Sequence, residues 1–305
     1  TAAREQGVAW TVFRTRYALQ DHLRRRWATT PWGQKRLLQW EDIDPGVDVD
    51  ELRAKLLTAP LFAKSNDVVI DDAEAALRTA ADIRAGRFVF FGSRVVDAGC
   101  PPQWDKDPES DVRFDSDRHW TEVSEFGAVD VKRVWELSRF SWVYALVRAH
   151  AVDGDGVHAE TFWSLFDDWM QHHPPSMGIQ WRCGQEASMR LMAVVFGAHA
   201  FASSSTAAQM RRVAQLAVHT AERVEDNLDY ALAQRNNHAS SEGAGLVTAS
   251  ALLARHHQAS GWRSRGVDVL HQVARHFIYD DGAFAQHSTR YHHLMLQTYA
   301  WSMAL

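Results

Sequence analysis

Apolar side chains recur at near-helical spacing along most of the chain. Between residues 7 and 28, Val8, Trp10, Phe13, Tyr17, Leu19, Leu23 and Trp27 follow that rhythm, Arg and Lys fill the gaps, and Pro31 ends or bends the helix. Residues 35–68 are mixed, with a short helical piece around residues 52–57. A helix is predicted over residues 71–85, opened by acidic residues in its first turn. Residues 88–92 read Phe-Val-Phe-Phe-Gly, break the helical pattern and suit a strand or buried loop. Residues 93–126, rich in Asp, Pro, Arg and Trp, are expected to form a linker or a long ordered loop.

Beyond Asp130 the pattern predicts helices over 130–150, 157–173, 184–203, 207–225, 239–257, 261–278 and 288–304. Turn signals separate them at residues 153–156 (Asp-Gly-Asp-Gly), Pro174-Pro175, Ser203 to Ser205, Asn236-Asn237 and residues 280–282 (Asp-Asp-Gly). Short breaks imply antiparallel neighbours, so the helices pair into hairpins. The class is all-α, either an α-solenoid or a closed (α/α) toroid. Longer polar connections at 172–183, 226–238 and 279–287 precede every second helix. In a toroid these would open on one rim, where helix N-termini offer N–H groups to anions. The expected division is 1–125, an N-terminal helical region with an irregular linker, and 126–305, the helical core.

Composition narrows the classes. The 305 residues are 46% apolar and 23% charged, enough for a sizeable core, and this excludes disorder, collagen and a disulfide-built mini-domain. Lys plus Arg total 33 and Asp plus Glu total 38, so the net charge of −5 argues against a broad nucleic-acid face while leaving room for a local basic cluster. Cys100 and Cys183 form no metal or CxxC spacing, so one disulfide is allowed but not required. No run has membrane-span length, and no membrane partner is expected. The first residues lack a leader pattern, and the final helix stops without a cap signal. The expectation is that sequence is missing at one or both ends. The enriched types are 13 Trp and 16 His, flat apolar faces and near-neutral titrating groups.

Four clusters carry candidate chemistry. Arg235, Asn236, Asn237 and His238, followed by Ser240, Ser241 and Glu242, hold more polar groups than one helix cap needs. Residues 280–293 pass from an Asp-Gly turn to Arg290, Tyr291 and His292 in a first helical turn, where a neighbouring cation lowers a phenol's pKa. Residues 178–190 bring Trp181, Gln185, Glu186 and Arg190, the last two at i,i+4 spacing for an ion pair. Residues 130–140 place Glu136 four residues after Lys132 and three before Arg139, and include Trp135. Each cluster has a bland alternative in capping, core packing or structural ion pairing. The adjacent pairs His172-His173 and His256-His257 diverge on a helix and are weak metal candidates. No phosphate-binding or dinucleotide loop and no nucleophile elbow occurs.

Taken together, residues 130–139 (DVKRVWELSR), 181–190, the NNH at 236–238 and the DG…S…YH run from 281 to 292 resemble the helical domain of heparinase II/III-type polysaccharide lyases. The likeness covers 126–305 and, more loosely, 88–105. It implies an incomplete (α/α) toroid followed by a β-sandwich region, with β-elimination of a uronic-acid-containing, variably sulfated polysaccharide in the cleft between them. It further implies export to the periplasm or beyond, and neither cofactor nor catalytic metal. By that resemblance Asn237 neutralises the uronate carboxylate, Tyr291 is the base or acid, and His238 assists. Trp135 and Trp181 are candidate stacking residues, and Arg139, Arg190 and Arg290 candidate carboxylate or sulfate ligands. Glu136, Gln185, Glu186, Asn236 and His292 complete the expected substrate-binding set. The chain departs from the family at Gln286 and Thr289, where Glu and Pro are usual, which weakens transfer of the substrate class.

Three other readings compete. A glycoside hydrolase on an (α/α) toroid needs two carboxylates across the cleft, drawn from Glu136, Glu186, Asp226 and Glu242. A non-catalytic saccharide-binding domain predicts that Asn237 and Tyr291 are dispensable. A helical protein-interaction module predicts no saccharide binding.

Overall fold

The computed structural model describes residues 11–12, 15–19, 23, 39–58 and 70–305. The helices are α1 (Val49–Thr58), α2 (Ala73–Arg84), α3 (Lys132–Ser138), α4 (Trp142–Asp153), α5 (Val157–His172), α6 (Gly184–Ala200), α7 (Ala207–Glu225), α8 (Leu228–Gln234), α9 (Asn237–Leu252), α10 (Ala259–Phe277) and α11 (Thr289–Ala304). An antiparallel hairpin, β1 (Arg87–Phe90) and β2 (Arg94–Asp97), pairs Arg87 with Asp97 and Phe90 with Arg94. The helices form the incomplete (α/α) toroid. The main apolar core runs from Ile43 to Met295, so most segments before residue 126 pack into the same interior as the helical hairpins, while Val123 joins a smaller cluster with Val131, Val134, Trp135 and Ile179. Within 7–28, the described residues 11–12, 15–19 and 23 are helical; the rest, with Pro31, lies outside the described residues.

Local chemistry sets the helix ends. Asp72 caps α2 by accepting the Ala75 N–H at 2.8 Å, which trims the predicted start by two residues. Thr206 and Gln209 form a capping box on α7, and Gly154, at φ +68°, closes α4. Two predicted elements are corrected. The helix expected over 130–150 is two helices, because Phe140 adopts φ +61° between α3 and α4. That strained backbone is offset by complete burial of its ring, stacked on Trp104 with centroids 5.8 Å apart and tilted against Trp142 at 4.8 Å. The polar connection 226–238 holds the short helix α8, ended by Arg235 at φ +51°. The segment 98–126 is an ordered loop: the Trp104 indole donates to Asp168 at 2.6 Å, and Gln180 donates to the Trp104 carbonyl at 3.0 Å.

Helix α9 is buried on nearly every side, packed by α6, α7, α10 and α11. Small residues allow it. A Cβ on Gly266 of α10 would lie 2.6 Å from the Gly243 carbonyl oxygen of α9, so the two backbones touch there. Gly266→Val is therefore expected to destabilise by about 1–3 kcal/mol, read as a lower urea midpoint at unchanged slope. An unshifted midpoint would mean that the helices separate without penalty.

Candidate active site

The N-terminus of α9 gathers the candidate residues. Asn236 is its cap, accepting the His238 N–H at 3.0 Å. Asn237 follows, 3% exposed, with its side-chain amide donating to Gln185 Oε1 at 2.5 Å. The Asn237 backbone N–H donates to Gln286 Oε1 at 2.9 Å, while its carbonyl accepts the hydroxyls of Ser240 and Ser241. Three connections distant in sequence thus meet: the start of α6, the start of α9 and the loop before α11. The N-terminal N–H groups of a 16-residue helix also point here, which favours an anion.

Beside Asn237, His238 Nδ1 lies 3.8 Å from the Cys183 sulfur. Burial pushes the imidazole pKa below its ordinary value, against the opposing charge of Glu186, so the neutral ring is favoured. The Cys183 thiol is pushed up by burial and by the charges of Glu186 and Glu242, so it is no nucleophile at neutral pH. Both cysteines are free.

A charge cluster braces the same end. Glu186 grips the Arg139 guanidinium with two bonds of 2.5 and 2.8 Å, and Glu136 takes its third side. Glu136 also accepts the Phe91 N–H at 2.9 Å, tying the β-hairpin to α3. Burial works against the Arg139 charge, but Glu186 and then Glu136 hold the guanidinium protonated well above its usual range. Tyr291 lies in the first turn of α11, 40% exposed, with Arg290 exposed and His292 half-buried. Gln286, which accepts the Asn237 N–H, lies five residues before Tyr291 in the loop leading to α11.

Three expected contacts are corrected. Trp181 is fully buried and its indole N–H donates to the Pro174 carbonyl at 3.0 Å. Trp135 is 5% exposed and donates to the Ile179 carbonyl, so neither ring presents a face for stacking. Arg190 does not pair with Glu186: it is fully buried, lies 4.4 Å over the Trp169 ring, and donates to the carbonyls of Ser138 and Gln180. Arg139, from another helix, is the partner Glu186 takes.

Sequence reasoning gave no site role to Arg223, Trp120 or Tyr230, placed Tyr17 only in the apolar rhythm of residues 7–28, and met Gln286 only as a departure from the family pattern. Arg223 occupies the buried stripe of α7 begun by Val213, Leu216 and Thr220, and a charge in register with an apolar stripe was the available signal. It stacks 3.7 Å over Trp120 and reaches the carbonyls of Trp181 and Arg182. Glu242 is 4% exposed, and burial pushes its pKa up to about 8 although Arg223 draws it down. The folded state keeps this proton where the unfolded chain has released it, so stability falls as pH rises from about 4.5 to about 8. Glu242→Gln should flatten that decline, seen as a smaller loss of unfolding free energy between about pH 5 and about pH 9 than in the wild type. An equal loss in both proteins would show that the carboxyl is not held neutral. His238 and Glu242 both line a cavity of about 140 Å³ beside this end of the helices.

Among the described residues no group of His, Cys, Asp or Glu is placed to hold a metal ion, and no helix is long and apolar enough to cross a membrane.

Residues 57–305 match the Heparinase II/III N-terminus family model. Among solved structures, the Heparinase III-BT4657 gene product with methylated lysines superposes with a TM-score of 0.60 at 16% identity, over 84% of this chain and 40% of that one. The heparan sulfate lyase HepC from Pedobacter heparinus gives a TM-score of 0.57 at 19% identity, over 84% of this chain and 39% of that one. The chain thus spans about 40% of the length of these structures. A search among curated proteins returns no match. With a family model matching 57–305 and a shared toroid, the chain belongs to the heparinase II/III family through its N-terminal helical domain.

Proposed function

We propose that this chain is the helical part of a polysaccharide lyase that cleaves a uronic-acid-containing polymer by β-elimination. The observation that carries the reading is Asn237, buried at a helix N-terminus with its amide aimed by Gln185 and its backbone held by Gln286. A uronate carboxylate placed there meets an amide at the positive end of a helix dipole, and both stabilise the negative charge developing when C5 loses its proton. Tyr291 takes that proton, with neutral His238 assisting. The C5–H electrons form the C4=C5 double bond, the C4–O bond breaks, and the leaving oxygen takes a proton from a Tyr or His on the leaving side, a role open to Tyr291 itself once it holds the C5 proton. Arg290, His292 and Asn236 are the proposed contacts to neighbouring acidic groups. In this reading Arg139, Glu136 and Glu186 set the position of Gln185 rather than hold substrate, and Trp135, Trp181 and Arg190 are its scaffold. A β-sandwich continuation closes the cleft, and the protein works outside the cytoplasm.

The similar structures named heparan sulfate lyase and heparinase III support an acidic glycan over a neutral one. The hydrolase alternative needs two carboxyl groups facing each other across a cleft, whereas Glu136 and Glu186 are both engaged by the same guanidinium, that of Arg139. The test is to expose the longest gene product to heparan sulfate, hyaluronan, alginate and acidic exopolysaccharides and to follow ultraviolet absorbance. A lyase creates a conjugated 4,5-unsaturated uronate and the absorbance rises. No rise with any uronate polymer sinks the reading.

A further inference from the structure

The cavity of about 140 Å³ beside His238 has a composition that the elimination chemistry does not require. Its walls include the rings of Tyr17, Trp120 and Tyr230, with Tyr17 stacked on Tyr230 at a centroid distance of 4.6 Å. Asn227 and Gln234 add amides, and the Glu242 carboxyl closes one side. Glu242 Oε2 is buried without a hydrogen-bond partner, and so is Nη1 of Arg223 behind it. Orphaned buried polar atoms are rare because each loses its hydration without recompense, so one on a residue that lines a polar cavity points to a ligand or ordered water beside it. The chain also makes room for this acid: a Cβ on Gly184 would lie 2.7 Å from the Glu242 carboxyl carbon.

We propose that this cavity is a saccharide subsite that takes one uncharged pyranose unit flanking the uronate, with the Glu242 carboxyl hydrogen-bonding to its hydroxyls. The subsite rests on the lyase reading for the uronate next door, which His238 places beside it. Aromatic walls suit the apolar faces of a sugar ring, and amides with a carboxylic acid match hydroxyl groups that both donate and accept. An anionic substituent is disfavoured there, because Glu125 lines the space and a protonated Glu242 offers no compensating positive charge. The cation that also lines it, Arg182, already lies over the Trp120 ring at 5.7 Å. Burial holds Glu242 neutral near pH 7, and a neutral acid donates as well as accepts.

The probe is an unsulfated tetrasaccharide of alternating glucuronate and N-acetylglucosamine, titrated by calorimetry into the full chain in a Tyr291→Phe background, which under the lyase reading blocks turnover. Glu242→Leu and Tyr230→Ala should each weaken binding about tenfold or more, equivalent to about 1.4 kcal/mol. Glu242→Gln, which keeps an uncharged donor and acceptor, should bind like the parent, and a fully sulfated tetrasaccharide should bind more weakly. Parent-like binding by both Glu242→Leu and Tyr230→Ala overturns the subsite. Loss of binding in Glu242→Gln, or equal binding of the sulfated probe, overturns its selection of an uncharged unit. Polymer cleavage by Tyr230→Ala at the wild-type rate and affinity overturns the subsite while leaving the lyase standing. Binding that obeys these variants without any ultraviolet rise in the wild type sinks the lyase and leaves the subsite standing.

Discussion

Replacing Arg139 by leucine is expected to destabilise the protein by about 3–5 kcal/mol, the usual consequence of removing one member of a buried charge group. Glu186 and Glu136 side chains are 4% and 9% exposed, and both rely on this guanidinium. Without it two carboxylates remain buried and close together, and each must bind a proton or draw in water. The effect reaches further than the ion pairs. Glu136 also accepts the Phe91 N–H, so its displacement loosens the β-hairpin from α3. Glu186 is next to Gln185, which orients Asn237, so displacement there disturbs the candidate site. Urea unfolding gives the stability change, and the double variant Glu136→Gln with Glu186→Gln separates causes. Removing the carboxylate charges before Arg139 is changed should recover a large part of the loss. If Arg139→Leu costs the same in that background, the penalty comes from packing and not from stranded charge.

This cluster also shows where sequence reading reaches its limit. Glu136 and Arg139 are three residues apart, and the helical turn that spacing predicts does join them. Glu186 and Arg190 have an equally good spacing and do not pair, because Arg139 arrives from another helix with better geometry while Arg190 is drawn into the Trp169 and Trp181 core. Local periodicity exposes what lies on one helix face, but not which neighbouring helix competes for it. The tryptophans show the same thing. An aromatic ring near polar residues suits sugar stacking, yet Trp135 and Trp181 are inside because the chain folds over them. The long, periodic helices were legible within a few residues. The break at Phe140 was not, since no Gly or Pro marks it and its positive φ is stabilised by ring packing from residues 104, 142 and 169. Helix α8 was hidden by its brevity and by the Asn and Arg residues around it. The NNH motif was visible as a cluster, but its partners Gln185 and Gln286, 52 and 49 residues away, were not derivable from spacing.

Those two partners shape the second large effect. Asn237→Ala in the longest gene product should lower kcat by about 10²–10³, comparable to removing one donor from a site that stabilises developing negative charge. The change should fall on kcat more than on KM. The Asn237 amide is placed by Gln185 to act where charge grows during proton abstraction, whereas the resting carboxylate keeps the helix dipole and the proposed Arg290 contact. Truncation also leaves Gln185 Oε1 without its donor in a buried position, a penalty of about 1–3 kcal/mol that must be measured separately. Gln185→Ala supplies the comparison. It removes the same hydrogen bond while retaining the Asn237 amide, so it should reproduce the stability loss and only part of the kcat loss, and a less well aimed amide accounts for that part. If Asn237→Ala matches Gln185→Ala in both rate and stability, Asn237 supports the fold and the carboxylate is neutralised elsewhere. A fall in kcat well beyond that of Gln185→Ala, at equal stability, assigns the chemistry to the Asn237 side chain.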